Sequence, residues 1–438
     1  MSEKIGLMES VSLAVGGMVG GGIFAVLGVV AATAGTLAWL AFVASGLIAF
    51  CAGYSFVRLN SLLDDHAGPI TYVAHFTGNT KLAGMTGWTF IIGYVGTMSL
   101  YAYAFGGYFV ELVSLKAVPA VGLPLRPVVT LAAVVVFVGL NVLGARSSGR
   151  TEDVLVGLKV LILLVFGVGG LYYGYSTGKL TVGLSNVGFG PLIASAIAFV
   201  AFEGWELLAF DQDSIRDPEE TVRKAIYISI GFATFLYIVV AVVTTNLVDA
   251  QTIQQNAETS LAIAARPFLG SAGFLLISVA ALFSTGSALN ATLFSAARLS
   301  KKLVSNDFLP CELTSEGDEP VRPLLVLGVL TAGLSVLGSL NAISSFASLA
   351  FITLFGAMSF LAFRHRGGAL PTTVIPAIGA LGAAATIVAL IYHLATTEPD
   401  VFGTVLVLVV AVIGIELLYF EREPILAEIT DVERTFEQ

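Results

Sequence analysis

The chain has 438 residues, of which 56% are hydrophobic and only 12% charged, with a mean hydropathy of +0.91. A soluble globular chain carries about 25% charged residues, so this composition excludes a water-soluble globule and describes an all-α polytopic membrane protein. The formal net charge of −9 comes largely from loops and the C-terminal tail, and no nucleic-acid partner is expected. Cys51 lies in an apolar run and Cys311 in a loop, too few for a disulfide scaffold. The histidines at 66, 75, 365 and 393 are scattered, so neither a metal site nor a cofactor is expected. The N-terminal MSEKIGLMES leads into an apolar run too long for a cleaved signal, and the first span is expected to be retained.

A spanning helix needs about 20 apolar residues, and the charge-free windows parse on that rule into twelve spans. Residues 10–57 hold two, roughly 9–33 and 37–60, turning near Ala34-Gly35-Thr36. Windows 82–110, 127–145 and 160–178 give the third to fifth, the fifth begun by Thr151-Glu152-Asp153 and carrying Lys159 in its first turns. The sixth runs over about 189–210 and contains Glu203 and Glu206; the seventh and eighth cover about 225–248 and 271–300. Window 323–363 again holds two, and 367–397 and 401–420 supply the last pair. Charge placement tests this parse. With the N-terminus inside, Lys4, Arg58, Lys81, Arg146, Arg150, Arg216, Arg223, Lys224, Arg298, Lys301, Lys302, Arg322, Arg364, Arg366, Arg422 and Arg434 fall on the cytoplasmic side. The other side receives Lys116, Arg126, Lys179 and Arg266. That asymmetry is the positive-inside pattern, and it places both termini in the cytoplasm of a multi-pass plasma-membrane protein. No soluble domain is visible, and the tail after Phe420 is too short to fold alone.

Two spans are interrupted. No Asp, Glu, Lys or Arg occurs from Ser10 to Val57, yet glycines stand at 16, 17, 20, 21 and 22, each costing about 1 kcal/mol in a helix interior. In the sixth span, Phe199-Val200-Ala201-Phe202-Glu203-Gly204-Trp205-Glu206 puts two carboxylates and a glycine where hydrocarbon is expected. Charges at that depth cost about 2.5 to 3.5 kcal/mol and normally face a cavity or a partner. Backbone freed from its helix is tolerated in a membrane only where it lines protein or a solvated site. Breaks in the first and sixth of twelve spans are what a five-plus-five inverted repeat predicts, with substrate at the repeat interface. The competing reading has Glu206 reaching back to the headgroups and the glycines serving close helix packing.

These residues resemble the amino acid, polyamine and organocation superfamily of transporters over essentially the whole chain. Gly20-Gly21-Gly22-Ile23-Phe24 resembles its G-S-G-I-F motif with Gly in place of Ser, and Ala67-Gly68-Pro69-Ile70-Thr71-Tyr72 its G-G-P-x-x-Y loop. Phe202-Glu203-Gly204-Trp205-Glu206 with Ile215-Arg216-Asp217-Pro218 is similar to the F/Y-x-G-F-E and K-N-P pair. Arg298 with Asn306-Asp307-Phe308-Leu309-Pro310 resembles the stretch that follows the eighth helix. Through Gly149-Arg150 and Leu158-Lys159-Val160-Leu161-Ile162-Leu163 the likeness is greatest to archaeal proton-coupled transporters of broad specificity. The resemblance implies a LeuT-like fold: residues 1–178 as a first repeat, 179–366 as its inverted counterpart, 367–420 as two added helices, and 421–438 as a short tail.

An amino acid brings a carboxylate and an ammonium into low dielectric, and half-helix N-termini suit the carboxylate. That role falls to the Gly21 and Gly22 backbone beside Gly20. By resemblance the ammonium meets the carbonyls of Val19, Val200 and Glu203, and Phe202 shuts the site, the bland alternative for Phe202 being ordinary aromatic packing. Tyr94, Tyr101 and Ser344 are candidate pocket walls by position. Lys159 either snorkels to the headgroups or points inward and, desolvated, exchanges a proton. By resemblance its neighbours are the Gly16 carbonyl and the Ser284 hydroxyl. The expected function is import of amino acids, neutral and of broad specificity, with protons by alternating access. The alternatives are an amino acid exchanger without net ion coupling, or a membrane sensor or channel. The paired breaks weigh against a channel, and the absence of a nucleophile constellation or nucleotide motif weighs against an enzyme.

Overall fold

The computed structural model describes residues 4–63, 68–118, 122–144, 149–184, 188–210, 212–314 and 320–421. Ala67 of the loop motif, Arg146, Arg422 and Arg434 of the charge pattern, and the tail after Glu421 lie outside the described residues, as does the side chain of Arg150. Among the described residues every regular element is helical, and the extended pairings are isolated bridges, Ile5 with Ile215 and Ala117 with Pro124. Among the described residues eight helical segments are long and apolar enough to cross a membrane, and Gly190–Phe202 and Val321–Leu337 are shorter apolar helices. The chain is an all-helical, multi-pass membrane protein.

The apolar run near the N-terminus forms α1 (Leu7–Gly17), a π-helical turn (Met18–Gly22) and α2 (Ile23–Ala34), and after a 3-10 turn α3 (Ala38–Asn60). Gly35, at φ +57°, makes the corner. In its most apolar window 89% of the Leu7–Asn60 segment is buried, so these helices form the centre of the bundle. The segment around the expected loop motif is itself a helix, α4 (Pro69–Thr77), with proline at its first position and Gly78 at φ +65° closing it. The pre-set φ of proline starts a helix, and the missing Cβ of glycine ends one. Next come α5 (Thr80–Val113), α6 (Leu125–Val142) and α7 (Gly149–Ser176). The Asn79 side chain caps α5 by accepting from the Leu82 amide at 3.0 Å.

The sixth run is α8 (Gly190–Ala198), a 3-10 turn (Phe199–Phe202) and a short α9 (Leu207–Phe210). Then follow α10 (Pro218–Leu247), α11 (Ala250–Gln255) and α12 (Ser260–Ser305), which starts well before the expected residue 271. Pro267 and a non-helical Gly270 at φ +63° kink α12, which is why the sequence there does not read as one long helix. The bundle ends with α13 (Val321–Leu337), α14 (Leu340–Arg364), α15 (Leu370–Thr397) and α16 (Pro399–Phe420). Only 11% of the α16 window is buried, which leaves this helix on the periphery.

The structure separates the two expected breaks. The sixth helix does break: Glu203 is extended at φ −71°, ψ 149°, and Gly204 sits at φ +123°. The first helix does not unwind at Gly20–Gly22, contrary to expectation. Gly17, Gly22 and Ile23 all keep right-handed helical angles, and the surplus is taken up as a single π turn. Widening one turn keeps the backbone bonded, whereas opening it in hydrocarbon would strand donors and acceptors. The glycines are instead explained by close approach. A Cβ on Gly17 would lie 2.9 Å from the Gly204 Cα, and one on Gly22 would lie 2.6 Å from the Ala201 Cα. The first run thus presses its glycine face onto the break in the sixth.

Gly204→Ala tests this packing, since it combines a left-handed φ with a Cβ 2.8 Å from Gly17 backbone atoms. It is expected to cost about 1 to 3 kcal/mol, read as a lower melting temperature in detergent. Gly231→Ala, with nothing within 4 Å of its Cβ on α10, should be neutral or gain up to about 1 kcal/mol. Equal melting of Gly204→Ala and wild type would contradict the packing.

Candidate functional site

The backbone freed at the break finds partners on neighbouring helices. The Val200 amide donates to the Ser348 hydroxyl at 3.1 Å, and that hydroxyl donates to the Ile197 carbonyl at 2.8 Å, so α14 bridges the end of α8. From α10 the Tyr237 hydroxyl donates to the Ala201 carbonyl at 2.8 Å. The Gly204 amide donates to Glu206 Oε2 at 2.7 Å, while Glu206 Oε1 accepts from the Tyr94 hydroxyl at 3.2 Å. Glu206 is therefore buried and bonded at both oxygens, and does not reach back toward headgroups. Glu203, also buried, is held by the Thr97 hydroxyl, which donates to its Oε2. Trp205 is wedged between Phe56 and Phe355, each ring centroid 4.9 Å away.

Around the π turn, each glycine admits a different neighbour. Gly21 faces the Tyr101 ring so closely that a Cβ would overlap it, and Gly20 faces Ala288 with Lys159 Nζ 3.4 Å from its Cβ position. The Lys159 ammonium donates to the Gly16 carbonyl at 2.9 Å, and Lys159 is 6% exposed. It points inward and does not snorkel. Ser284 donates to the Val19 carbonyl at 3.2 Å, one turn along the same helix, and is thus on Val19 where the resemblance had put it beside Lys159.

Lys159, Gly16 and Glu203 share one small cavity with Tyr101, Ser287 and Thr292. Its volume is about 20 Å³, room for about one water, so this conformation is closed to an amino acid. Val19 and Gly20 adjoin it through the contacts above. Val200 and Phe202 are not in the wall of this cavity: the Val200 amide donates to Ser348, the Val200 carbonyl accepts from the Glu203 amide at 3.3 Å, and the Phe202 ring meets Tyr237 edge-on at 5.3 Å. Ser344 bonds the Asn341 carbonyl within α14 and does not line the cavity. A larger cavity of about 220 Å³ lies between the ends of α3 and α10, lined by Tyr54, Arg58, Tyr72 and Arg223 among others, and contains none of the expected site residues. The residues the sequence did not single out are Thr97, Tyr237 and Ser348. Each shares its helix with other hydroxyls, such as Ser99, Thr234 and Ser345, and nothing in the sequence marks it out.

The break is held by three neighbouring helices and pressed against a glycine turn beside a buried ammonium. The sequence profile described as amino acid permease matches residues 5–415. The chain belongs to this family. The amino acid permease assignment is supported by the inner membrane transport protein YbaT of Escherichia coli, 30% identical over 90% of this chain and 91% of its own. An uncharacterized protein of Methanocaldococcus jannaschii is 30% identical over 95% of both chains. The serine/threonine exchanger SteT of Bacillus subtilis is 25% identical over 71% of this chain and 70% of its own. Membership places this permease in the amino acid, polyamine and organocation superfamily of transporters.

Gly22→Val is expected to leave membrane insertion intact and abolish binding of labelled amino acids in a scintillation proximity assay, because its side chain must push the π turn off Ala201. Gly139→Val, with open space at its Cβ, is the matched control. Unchanged affinity in Gly22→Val would refute the role of this contact.

Proposed function

We propose that this permease is a secondary transporter that imports neutral amino acids together with protons, by alternating access. In this reading twelve helices span the bilayer with both termini in the cytoplasm, the first ten form two inverted repeats, and the two extra helices and tail follow. The substrate carboxylate docks on the Gly21 and Gly22 amides once the π turn opens to free them. Its ammonium meets the Val19, Val200 and Glu203 carbonyls, with Phe202 closing the site. Substrate entry requires the Tyr101 ring to leave Gly21, since the present cavity holds about one water.

The observation that carries the reading is the Lys159 ammonium on the Gly16 carbonyl. A charged donor makes a bond about twice as strong as a neutral one, so the bond is at full strength while Lys159 is an ammonium and weakens when a neutral amine is left to donate. In this reading the proton on Lys159 sets how tightly α7 holds the Gly16 carbonyl of α1. Protonation from outside pins α1 against α7, and proton release to the inside loosens it. The Ser284 bond to Val19 ties the same turn to α12, so a shift of α1 is felt at the substrate carbonyls.

A second reading, exchange of one amino acid for another without net proton movement, is favoured by the name of the serine/threonine exchanger among the relatives. Uptake of a panel of labelled amino acids into proteoliposomes, with proton and sodium gradients imposed separately, distinguishes the two. Wild type is expected to accumulate neutral amino acids under an inward proton gradient alone. Lys159→Ala is expected to lose that acid stimulation while keeping substrate binding. Identical pH profiles in the two proteins would remove Lys159 from the mechanism, and exchange at every pH without uphill uptake would favour the exchanger.

A further inference from the structure

Glu203 has a feature that substrate binding through its carbonyl leaves unused. The residue is 3% exposed and belongs to the wall of the one-water cavity that Lys159 also lines. One carboxylate oxygen is engaged by Thr97, and the other has no hydrogen-bond partner among the described residues. Glu206, three residues on, differs: both of its oxygens accept, one of them from the Gly204 backbone amide, and it is not part of the cavity wall.

The Thr97 hydroxyl sits between two acceptors. It lies within reach of Glu203 Oε2 and 3.1 Å from the Gly93 carbonyl. A hydroxyl has one proton to give and two lone pairs to accept with, so it cannot donate to both at once. With Glu203 ionised, Thr97 donates to the carboxylate. With Glu203 protonated, the carboxylic acid donates to Thr97, which turns its own proton onto Gly93. Both protonation states of Glu203 therefore have a complete set of bonds at Thr97, and changing between them requires only a rotation of one hydroxyl.

We propose that Glu203 is the proton partner of Lys159, and that a single water in their shared cavity connects the ammonium to the free carboxylate oxygen. This rests on the proton-coupled reading above and adds a second residue to it. In the transfer step, the N–H bond of the ammonium breaks as its proton passes to the water, and the water passes one of its own protons to Glu203. An ammonium and a carboxylate become an amine and a carboxylic acid, the water is regenerated, and the net charge of the pair stays zero. No oxidant, metal or further reactant is involved. A pair that moves charge only internally lets Lys159 release the Gly16 carbonyl without first sending a proton through hydrocarbon. The other titratable groups around Glu203 are Tyr94 and Tyr101 from α5 and Glu206 from its own segment, with Tyr237 from α10 beside Tyr101. The cavity walls from α1 and α12 contribute Leu13, Gly16, Gly17, Ser287, Ala288, Ala291 and Thr292, none of which titrates.

The test compares wild type, Glu203→Gln, Glu203→Asp, Lys159→Ala and the Lys159→Ala/Glu203→Gln double variant in proteoliposomes. Each is assayed for pH-dependent accumulation of labelled alanine, serine and leucine, and for counterflow as a measure of folding and binding. Opposite charges separated by no more than one water favour each other's charged forms. Removing the carboxylate should therefore move the acid-stimulated limb of uptake to lower pH, by about one unit or more. Glu203→Asp, which keeps a carboxylate, should keep the acid-stimulated limb closer to its wild-type position than Glu203→Gln does, whatever its uptake rate, and the double variant should match Lys159→Ala. Infrared difference spectra supply the reciprocal readout: a carboxylic acid band absent from Glu203→Gln should titrate at higher pH in Lys159→Ala than in wild type. A Glu203→Gln profile that superimposes on wild type, or that changes only KM, overturns the pairing while leaving Lys159 in place. A wild type with no pH dependence at all overturns the coupling reading itself.

Discussion

Backbone polar groups in hydrocarbon have to be bonded, and each one left unsatisfied costs roughly several kcal/mol. That constraint decides how the interrupted sixth helix can exist. Between Ala198 and Leu207 the chain leaves the α-helix, and its freed groups are taken by Ser348, Tyr237 and the Glu206 carboxylate. The break is therefore a structure held from α10, α14 and its own carboxylate, and not a gap. The same constraint explains why the first helix answers its glycines with a π turn: the chain gains an extra residue per turn without opening the backbone.

What joins the two runs is the absence of side chains. Gly17 against Gly204 and Gly22 against Ala201 bring backbone onto backbone at distances that no larger residue permits. In a membrane, where lipid is as apolar as leucine, helices associate largely through such close packing and through hydrogen bonds. Lys159 and Ser284 add the hydrogen bonds, both to carbonyls of the first run, from α7 and α12 respectively. The first run is thus the element on which three others converge, the sixth run, α7 and α12.

Much of this was legible because the membrane imposes strict rules on composition. Glu203, Gly204 and Glu206 inside an apolar run had to mark an irregular or polar place, and the chain breaks there. Lys159 pointing inward was one of two outcomes that position alone allowed; the decisive contact, with the Gly16 carbonyl, came from family resemblance. The π turn was not legible, because glycines that favour unwinding and glycines that allow close approach are the same letters. Neither was the service of Thr97, Tyr237 and Ser348, whose hydroxyls are indistinguishable in sequence from those that bond back to their own helix, as Ser359 does to Phe355. The helix at Pro69–Thr77 was hidden by its position in a polar stretch too short to show a period.

The central claim is that amino acid and proton move together through a group on the first run's carbonyl. Proteoliposomes holding a pH-sensitive dye in their lumen and no imposed gradient test it most directly. Addition of alanine, serine and leucine outside should acidify the lumen of vesicles containing wild type, and should leave the lumen unchanged with Lys159→Ala. Amino acid entry into wild-type vesicles without any lumenal acidification would contradict the account.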